Sequence, residues 1–477
     1  MDELQFRDGA DDLPSPPAST HRDPGHAELA LAIRKLARSS VLVVGDAMLD
    51  RYIYGTVDRI SREAPVPVLT VDREVAVPGG AGNVVRNLGA LGVAVAFVSV
   101  VGDDQAGSDL TGLIGSQPGV EPWLLVQGSR ATTRKTRYMA QGQQLLRTDR
   151  EDVSPIHPKL AERMLRILRD AMAATTVTVM SDYDKGLLAG TLPADIITIA
   201  RSTGRRVIVD TRSGDYARYA GADVITPSTE ELARFAGRKL GTDGLVAGAA
   251  ERMRRQHGFG AVLVQRAEDG LTLVDRHGVM HLPVEPGEIC DVSGTGDTTV
   301  ANLSAGLAAG LDLPLAARIA SIASGVVLSR NGIAVAREGD LLAAITPQGS
   351  ALRKVVTLEA ASARVENWRR DGWQTAVTVG RFATIDPATS DTLQRSRAAC
   401  DRLIVALERD GAGHQGPPEA VRAAQLASLE AIDLVVLVDS NNPAELLYGL
   451  RPDLLIGPSN QKGADLLPTW GGRVISV

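Results

Sequence analysis

The segment Gly294-Thr295-Gly296-Asp297 places a carboxylate beside two glycines, directly before a run of small residues at 299–308 that predicts a helix. Glycines let the backbone approach a ligand closely, and the first-turn N–H groups of a helix attract anions such as a phosphoryl group. We predict that Asp297 takes a proton from a hydroxyl attacking phosphorus, and that the Gly294-Thr295-Gly296 backbone cradles the developing charge. The alternative is an ordinary glycine-rich helix entry with an acidic N-cap.

A second glycine cluster, Pro78-Gly79-Gly80-Ala81-Gly82-Asn83, lies upstream between a β-rich stretch at 66–77 and a helix predicted to begin near Val84. Together the two clusters resemble the paired signature of the ribokinase-like (PfkB) sugar kinases. Other segments are similar to the branch that joins a heptose-7-phosphate kinase to a heptose-1-phosphate adenylyltransferase. These segments are GDAMLDRY (45–52), RISREAPVPV (59–68), QQLLR (143–147) and SDYDKG (181–186). The resemblance runs from about Leu42 to the C-terminus.

Length and pattern predict two α/β domains. A chain of 477 residues exceeds what one hydrophobic core usually serves. Short β-branched runs alternate with helical stretches, which favours a mostly parallel sheet with helices on both faces. After a disordered tail at 1–26, the resemblance implies a ribokinase-like doubly wound sheet with a small β lid at 27–345. A linker at 346–356 and a smaller Rossmann-like, nucleotidyltransferase-type α/β domain at 357–477 then follow.

Composition limits the choice of partners and compartment. A net charge of −6 argues against nucleic acid or an anionic membrane as the main partner. The two cysteines, Cys290 and Cys400, lie far apart without metal-type spacing and fit a reducing compartment. The N-terminus lacks the pattern of a signal peptide, and no apolar run approaches the roughly 20 residues that span a bilayer. We expect a cytoplasmic protein.

A sugar site requires directional polar groups for the hydroxyls. We predict that Asp46 and Asp50, placed at the end of the first strand, and Asn83 supply them, with Gly79-Gly80 letting the sugar approach the backbone. Alternatively, Asp46 is a strand-end turn residue and Asp50 pairs with a neighbouring arginine. A phosphate on the sugar would need cations. The candidates, each of which alone is more often a solvated surface charge, are Lys135, Arg137, Arg147 and Arg86.

The segments at 66–77 and 134–149 alternate apolar and polar side chains with period two, which predicts antiparallel ribbons. The resemblance implies that these ribbons form a lid over the sugar and pair with their twin in a homodimer. An unsupported small sheet exposes an apolar face, which gives that dimer a physical reason.

The resemblance also implies ATP and Mg²⁺. In TPSTEE (226–231), Glu231 is retained as the residue that organises the metal, whereas Ser228 replaces the family's asparagine. Arg212 keeps the positive charge of a family lysine, and Ser321 replaces another asparagine. The remaining candidates on the nucleotide side are Thr229, Glu230, Arg266, Glu268, Gly270 and Asp291. These changes around a retained base indicate an altered nucleotide site.

The second domain retains the pattern of its family without the chemistry. Asp386 and Thr389 replace the two histidines of the family's His-x-Gly-His motif, and Ala388 replaces its glycine. An aspartate at that position repels phosphates. We therefore expect a domain without adenylyltransferase activity that serves packing, oligomerisation or regulation.

These observations predict an ATP-dependent kinase that phosphorylates D-glycero-D-manno-heptose 7-phosphate at O1, with adenylyl transfer left to a separate protein. One alternative is a kinase for another phosphosugar, such as a ketoheptose phosphate. The other is a non-catalytic scaffold or sugar-phosphate sensor. A scaffold has no need of a base in an anion hole, so the retained Asp297 argues against it.

Overall fold

A computed structural model describes residues 24–284, 292, 294–330, 334–346, 354–370, 372–410, 416–439, 443–458 and 463–476. The chain divides into two compact units. The first comprises the residues up to Val284, Val292–Val327 and Ile333–Leu341, and the second consists mainly of Leu342–Val477. Most of the predicted tail, part of the predicted linker, Cys290 and Asp291 lie outside the described residues.

The first unit is built from strands and helices that alternate along the chain. Its strands are β1 (Ser40–Gly45), β2 (Ala47–Ile60), β3 (Pro67–Gly80), β4 (Ala94–Gly102), β5 (Val120–Gln127), β6 (Arg134–Ala140), β7 (Gln143–Arg150), β8 (Val177–Asp182), β9 (Arg206–Thr211), β10 (Val224–Ile225), β11 (Ala261–Gln265), β12 (Leu271–Asp275) and β13 (Gly278–Leu282). The helices up to residue 344 are α1 (His26–Lys35), α2 (Ala81–Ala90), α3 (Gln105–Gly115), α4 (Pro158–Ala174), α5 (Leu192–Ser202), α6 (Thr229–Ala236), α7 (Asp243–His257), α8 (Thr295–Ala308), α9 (Leu313–Leu328) and α10 (Glu338–Ala344).

The main sheet has nine strands in the order β13-β12-β11-β10-β9-β8-β1-β4-β5. From β11 to β5 all neighbouring strands are parallel, whereas β12 and β13 add an antiparallel edge. The central strands are almost wholly buried, as expected where helices cover both faces. On one face Met164, Leu168 and Met172 of α4 join the core that includes Leu42 and Val44 of β1. The predicted α/β class is confirmed.

A separate four-stranded sheet, in the order β3-β2-β6-β7, forms the lid. Its two antiparallel pairs, β2–β3 and β6–β7, are joined by parallel pairing of β2 with β6. The predicted ribbons correspond to β3 and to the β6–β7 hairpin. Strand β2 was not predicted, because Asp46 is the only residue between β1 and β2 and no turn pattern marks the change of sheet. The edge strands β5 and β13 were not predicted either.

Both helices that follow glycine clusters begin earlier than predicted. Helix α2 begins at Ala81 rather than near Val84, so Asn83 lies in its first turn. Helix α8 begins at Thr295, so Asp297 lies within the helix. In each case a glycine with positive φ, Gly80 at 57° and Gly294 at 78°, precedes the helix and sets its start.

The second unit contains a parallel six-stranded sheet in the order β14-β17-β16-β15-β18-β19. Its strands are β14 (Val355–Val356), β15 (Thr375–Gly380), β16 (Arg402–Glu408), β17 (Leu434–Val438), β18 (Leu454–Ile456) and β19 (Arg473–Ile475), and its helices are α11 (Leu358–Arg370), α12 (Pro387–Ala398), α13 (Glu419–Ala427) and α14 (Pro443–Leu450). The alternation predicted for this part of the chain is confirmed. In neither unit does a described helix have the length and apolar character needed to cross a membrane.

We expect Leu168→Ala to lower the free energy of unfolding by about 2–5 kcal/mol, because a fully buried leucine of α4 leaves a cavity against the main sheet when it is truncated. The control is Leu31→Ala in α1, where the side chain is 63% exposed. We expect its effect to stay below about 0.5 kcal/mol. Urea titration followed by circular dichroism measures both, and equal losses would contradict the placement of the core.

Candidate active site

Asp297 is a buried carboxylate at the start of a buried helix. Gly294 caps α8 in the left-handed conformation, and its carbonyl accepts the N–H of Thr298 at 3.0 Å. Asp297 is 7% exposed, and the residues of α8 that follow it as far as Leu307 are also buried. The carboxylate is therefore held in a dry environment beside the N-terminal end of the helix, where the backbone favours negative charge.

Two side chains from distant parts of the chain donate hydrogen bonds to Asp297. Asn83 Nδ2 donates to Oδ2 at 2.7 Å, and the hydroxyl of Tyr183 donates to Oδ1. Burial raises the pKa of Asp297 to about 6, against the opposing effect of these two hydrogen bonds. The charge of Asp210 also raises this pKa, whereas that of Arg212 lowers it. The carboxylate is therefore ionised at neutral pH and near the ideal basicity for proton transfer.

A polar seam between α2 and α8 fixes Asn83. Asn87 Nδ2 donates to the Asn83 carbonyl at 2.9 Å, and Thr298 Oγ1 donates to Asn87 Oδ1 at 3.0 Å. The start of α2 is set by Gly80, where a Cβ atom would lie 2.5 Å from the carbonyl oxygen of Asp46. The second glycine cluster thus brings α2 against β2 and directs Asn83 at Asp297.

Arg212 lies beside the glycines of α8. Its Nη1 contacts Glu231 Oε1 at 3.0 Å, its Nη2 lies 3.8 Å from Asp210 Oδ2, and the attraction of Asp210 holds the Arg212 pKa above its usual value. A Cβ atom on Gly296 would lie 3.5 Å from Arg212 Nη2 and 2.7 Å from Gln265 Oε1. The guanidinium carbon also lies 5.5 Å from the centre of the Tyr183 ring. A fixed cation therefore lies next to the N-terminal end of α8.

Asp46, predicted either to bind the sugar or to be a strand-end turn residue, binds the backbone of the loop after β8. Its carboxylate accepts backbone N–H groups of Tyr183 at 2.9 Å, Lys185 at 3.1 Å and Leu187 at 3.3 Å. Burial and the nearby charge of Asp182 raise the pKa of Asp46 to about 6. Asp46 thus ties the loop after β8 to the end of β1. Its side chain serves the loop that carries Tyr183.

Asp50 lies in lid strand β2, not at the end of the first strand as predicted. Its Oδ1 pairs with Arg137 Nη1 at 2.7 Å, so its ion-pair partner comes from β6 rather than from a sequence neighbour. A Cβ atom on Gly79 would lie 2.0 Å from Asp50 Oδ2, so the glycine makes room for this carboxylate. On the lid, the buried Asp50 is thus paired with the half-buried Arg137.

The other cations predicted to bind phosphate divide between two places. Lys135 Nζ and Arg147 Nε share Asp149 on the lid, each at 3.1 Å. Arg86 lies in α2, where its Nη1 is 3.5 Å from Asn83 Oδ1 and burial lowers its pKa. Arg86 is therefore adjacent to Asn83, the hydrogen-bond donor to Asp297. The other three cations, Lys135, Arg137 and Arg147, belong to the lid sheet.

On the nucleotide side, Ser228 caps α6. Its Oγ accepts the N–H of Glu231 at 3.2 Å, and Glu231 Oε2 accepts the N–H of Ser228 at 2.8 Å. In this capping box Ser228, which replaces the family's asparagine, stabilises the start of α6. Thr229 Oγ1 donates to the carbonyl of Gln265 at 3.4 Å, and Glu230 is exposed.

Of the other predicted nucleotide residues, three lie in the turn between β11 and β12 and one lies in α9. Arg266 pairs with Asp243 at 2.6 Å, next to the exposed Glu268 and to Gly270, which begins the return into β12. Buried Ser321 of α9 donates to two carbonyl oxygens at 3.3 Å. Asp291 lies outside the described residues.

Glu231 and Asp210 supply oxygen atoms of the kind that Mg²⁺ prefers. No group of three or more His, Cys, Asp or Glu side chains suited to a metal ion lies in the described ranges. Magnesium in phosphoryl-transfer sites usually binds one or two carboxylates together with substrate phosphates. The two carboxylates around Arg212 match that donor set.

In the second unit, Asp386 caps α12 by accepting the N–H of Thr389 at 2.8 Å, a contact that lowers the Asp386 pKa. Arg422, 1% exposed, donates to the carbonyl of Arg381 and, at 3.1 Å, to that of Glu408, and it pairs with Asp410 at 2.5 Å. The buried cation at the carboxyl ends of β15 and β16 is therefore occupied by backbone and carboxylate partners.

Tyr183 and Gln265 were not among the predicted site residues, and Arg212 was named only for the positive charge that it keeps. All three follow or end strands of the main sheet, β8, β11 and β9 respectively. Since ligands of open α/β sheets bind at the carboxyl ends of parallel strands, the placement of these residues after predicted strands was a usable signal.

Residues 38–338 match the model of the pfkB family carbohydrate kinases. The chain is 55% identical over 460 residues to the Bifunctional protein HldE of Acidiphilium cryptum (strain JF-5), covering 94% of this chain and 95% of that protein. It is 44% identical over 458 residues to the Bifunctional protein HldE of Paramagnetospirillum magneticum (strain ATCC 700264 / AMB-1), covering 93% of this chain and 94% of that protein.

Solved structures give the same fold. Arabidopsis thaliana ribokinase complexed with ribose and ATP matches with a TM-score of 0.53 at 18% identity, over 65% of this chain and 99% of that one. Escherichia coli phosphofructokinase-2 in complex with potassium matches with a TM-score of 0.54 at 19% identity, over 64% and 99%. The ribokinase-like fold is thereby confirmed, and the chain belongs to the pfkB family of carbohydrate kinases.

Proposed function

We propose that this sugar kinase phosphorylates D-glycero-D-manno-heptose 7-phosphate at O1 with ATP and Mg²⁺, giving heptose 1,7-bisphosphate. The observation that carries the kinase chemistry is the buried carboxylate of Asp297 at the N-terminal end of α8, with Asn83 as a hydrogen-bond donor. The heptose substrate is supported by relatives 55% and 44% identical that are named Bifunctional protein HldE. The first unit then corresponds to the kinase domain predicted at 27–345.

In the proposed reaction, the O1 hydroxyl gives its proton to Asp297 as the oxygen attacks the γ-phosphorus, and ADP leaves with its electron pair. The first-turn N–H groups of α8 stabilise the charge on the transferred phosphoryl group. Arg212, next to Gly296, adds a side-chain cation on the same side. Mg²⁺ bound with the nucleotide would be held near Glu231 and Asp210 and would neutralise phosphate charge.

The lid supplies the proposed contacts to the sugar phosphate. Lys135 and Arg137 are only partly exposed and pair with Asp149 and Asp50, respectively. A phosphate offers stronger, multidentate acceptors and would compete for these cations. The lid also carries exposed apolar side chains, such as Ile60, Val71 and Leu146. These side chains support the proposed homodimer through the lid.

We further propose that the second unit, predicted as the domain at 357–477, transfers no adenylyl group. Asp386 and Thr389 form an N-cap at the position where the family places its two histidines, and Arg422 is committed to structural contacts. A triphosphate at this edge would meet a carboxylate with no histidine to neutralise it. Adenylyl transfer to heptose 1-phosphate then falls to a separate protein.

We expect Asp297→Asn to lower kcat by about 10²–10⁴, the range for loss of general-base catalysis, with little change in sugar binding. Asp170→Asn on the exposed face of α4 is the control and should keep wild-type kcat. ADP release is measured with a panel of sugar phosphates that includes a ketoheptose phosphate. Wild-type turnover in Asp297→Asn would rule out the role of this residue, and preference for another sugar would correct the substrate.

The pH profile should follow the ionisation of Asp297. Its pKa is raised to about 6, so kcat should rise with pH through about 6 as the carboxylate loses its proton and becomes able to accept another. Substrate phosphates also titrate near this pH, but they do so equally with every variant. The limb that disappears in Asp297→Asn therefore belongs to Asp297. An identical limb in wild type and variant contradicts the assignment.

We expect no pyrophosphate release when the full-length protein is mixed with ATP, Mg²⁺ and heptose 1-phosphate, because Asp386 and Thr389 stand where the family places the two histidines that neutralise a triphosphate. The measurement is a coupled pyrophosphate assay, with ADP release from heptose 7-phosphate as the positive control in the same preparation. Formation of ADP-heptose by a protein whose kinase reaction is intact would overturn this proposal and leave the kinase assignment unaffected.

A further inference from the structure

Tyr183 is the one hydroxyl among the described residues that donates to the carboxylate of Asp297. It lies in the loop after β8, and its partner Asp297 lies in α8, far along the chain. Asn83 binds Oδ2 and Tyr183 binds Oδ1, so each carboxylate oxygen has one fixed donor. With both oxygens held, rotation of the carboxylate is restricted.

The loop that carries Tyr183 is itself fixed. Asp46 accepts the backbone N–H groups of Tyr183, Lys185 and Leu187. Asp182 accepts the N–H of Asp184 at 2.8 Å and the hydroxyl of Tyr219. Two buried carboxylates thus define the backbone on both sides of Tyr183, so that its hydroxyl reaches Asp297 from a prearranged position.

Tyr183 also contacts the phosphoryl side of the site. Its ring lies under the guanidinium of Arg212, which binds Glu231 and lies beside Gly296. The titratable and charged groups that face Asp297 are therefore Tyr183 from the β8 loop and Asp210 and Arg212 from β9 and its end. Among these groups, Tyr183 alone donates a neutral hydrogen bond to the base.

We infer that Tyr183 is a positioning residue for phosphoryl transfer: its hydroxyl orients the Asp297 carboxylate and keeps it ionised, and its ring sets the orientation of Arg212. This inference rests on the proposed role of Asp297 as the base. Burial and the charge of Asp297 raise the pKa of Tyr183 well above its usual value, so the hydroxyl keeps its proton and stays a donor. Removing that donor favours the protonated carboxyl of Asp297.

The test is the pH profile of kcat in Tyr183→Phe, which keeps the ring against Arg212 and removes only the hydroxyl. We expect the acidic limb to move to higher pH by about one unit, because a hydrogen bond to the ionised form is lost. The control is Tyr448→Phe in α14 of the second unit, which removes an exposed tyrosine hydroxyl and leaves the loop of Tyr183 unchanged. Its limb should stay at the wild-type pH.

A second measurement covers the case in which Tyr183→Phe does not fold. Full-length protein labelled with 3-fluorotyrosine carries a more acidic phenol, which is a stronger hydrogen-bond donor. The acidic limb of its kcat profile should therefore move to lower pH. The same shift is expected when the label is introduced into Tyr448→Phe. A limb that stays at the wild-type pH in both Tyr183→Phe and the labelled protein, or that moves equally in Tyr448→Phe, overturns the inference. If Asp297→Asn keeps wild-type kcat, the proposed function itself fails, a result distinct from an unmoved limb in Tyr183→Phe.

Discussion

The polar groups at the centre of the first unit are arranged around one buried charge, the carboxylate of Asp297. A carboxylate in a dry interior is costly unless hydrogen bonds and nearby cations compensate for the lost water. Here Asn83, Tyr183 and Arg212 provide that compensation from three separate parts of the chain. The residual cost leaves the pKa raised to about 6, which is what makes the carboxylate basic enough to accept a proton and still ionised at neutral pH.

The same requirement explains why other polar residues are buried nearby. Asn83 needs a fixed helix start, which Gly80 and the Asn87–Thr298 hydrogen bond provide. Tyr183 needs a fixed loop, which the Asp46 carboxylate provides. Each of these groups would be expensive to bury alone, and each is satisfied by the next. The polar residues around β1, β8 and α2 therefore form one connected network that ends at the carboxylate of Asp297.

The sequence was sufficient to locate the candidate-site residues that lie next to a cluster of glycines. Asp297 and Asn83 each follow a cluster of glycines, and backbone requirements make such clusters visible without a structure. Tyr183 and Arg212 depend on β8 and β9 lying side by side, a pairing that no local pattern shows. Asp50 was misplaced for a related reason, since a single residue separates β1 from β2 and the chain changes sheets there without a turn signal.

The second unit combines apolar cores with a helix end that is satisfied from within the chain. Its parallel strands keep buried cores on both faces, because apolar packing depends on side-chain volume and not on charge. At the carboxyl edge, however, Asp386 satisfies the N-terminus of α12 from within the chain, and Arg422 satisfies nearby carbonyls. A helix end already bound by its own carboxylate has less to offer a phosphate. In the first unit α8 follows Gly294 instead, which has no side chain to occupy the helix end, so the first-turn N–H groups of α8 are not capped by a side chain from Gly294.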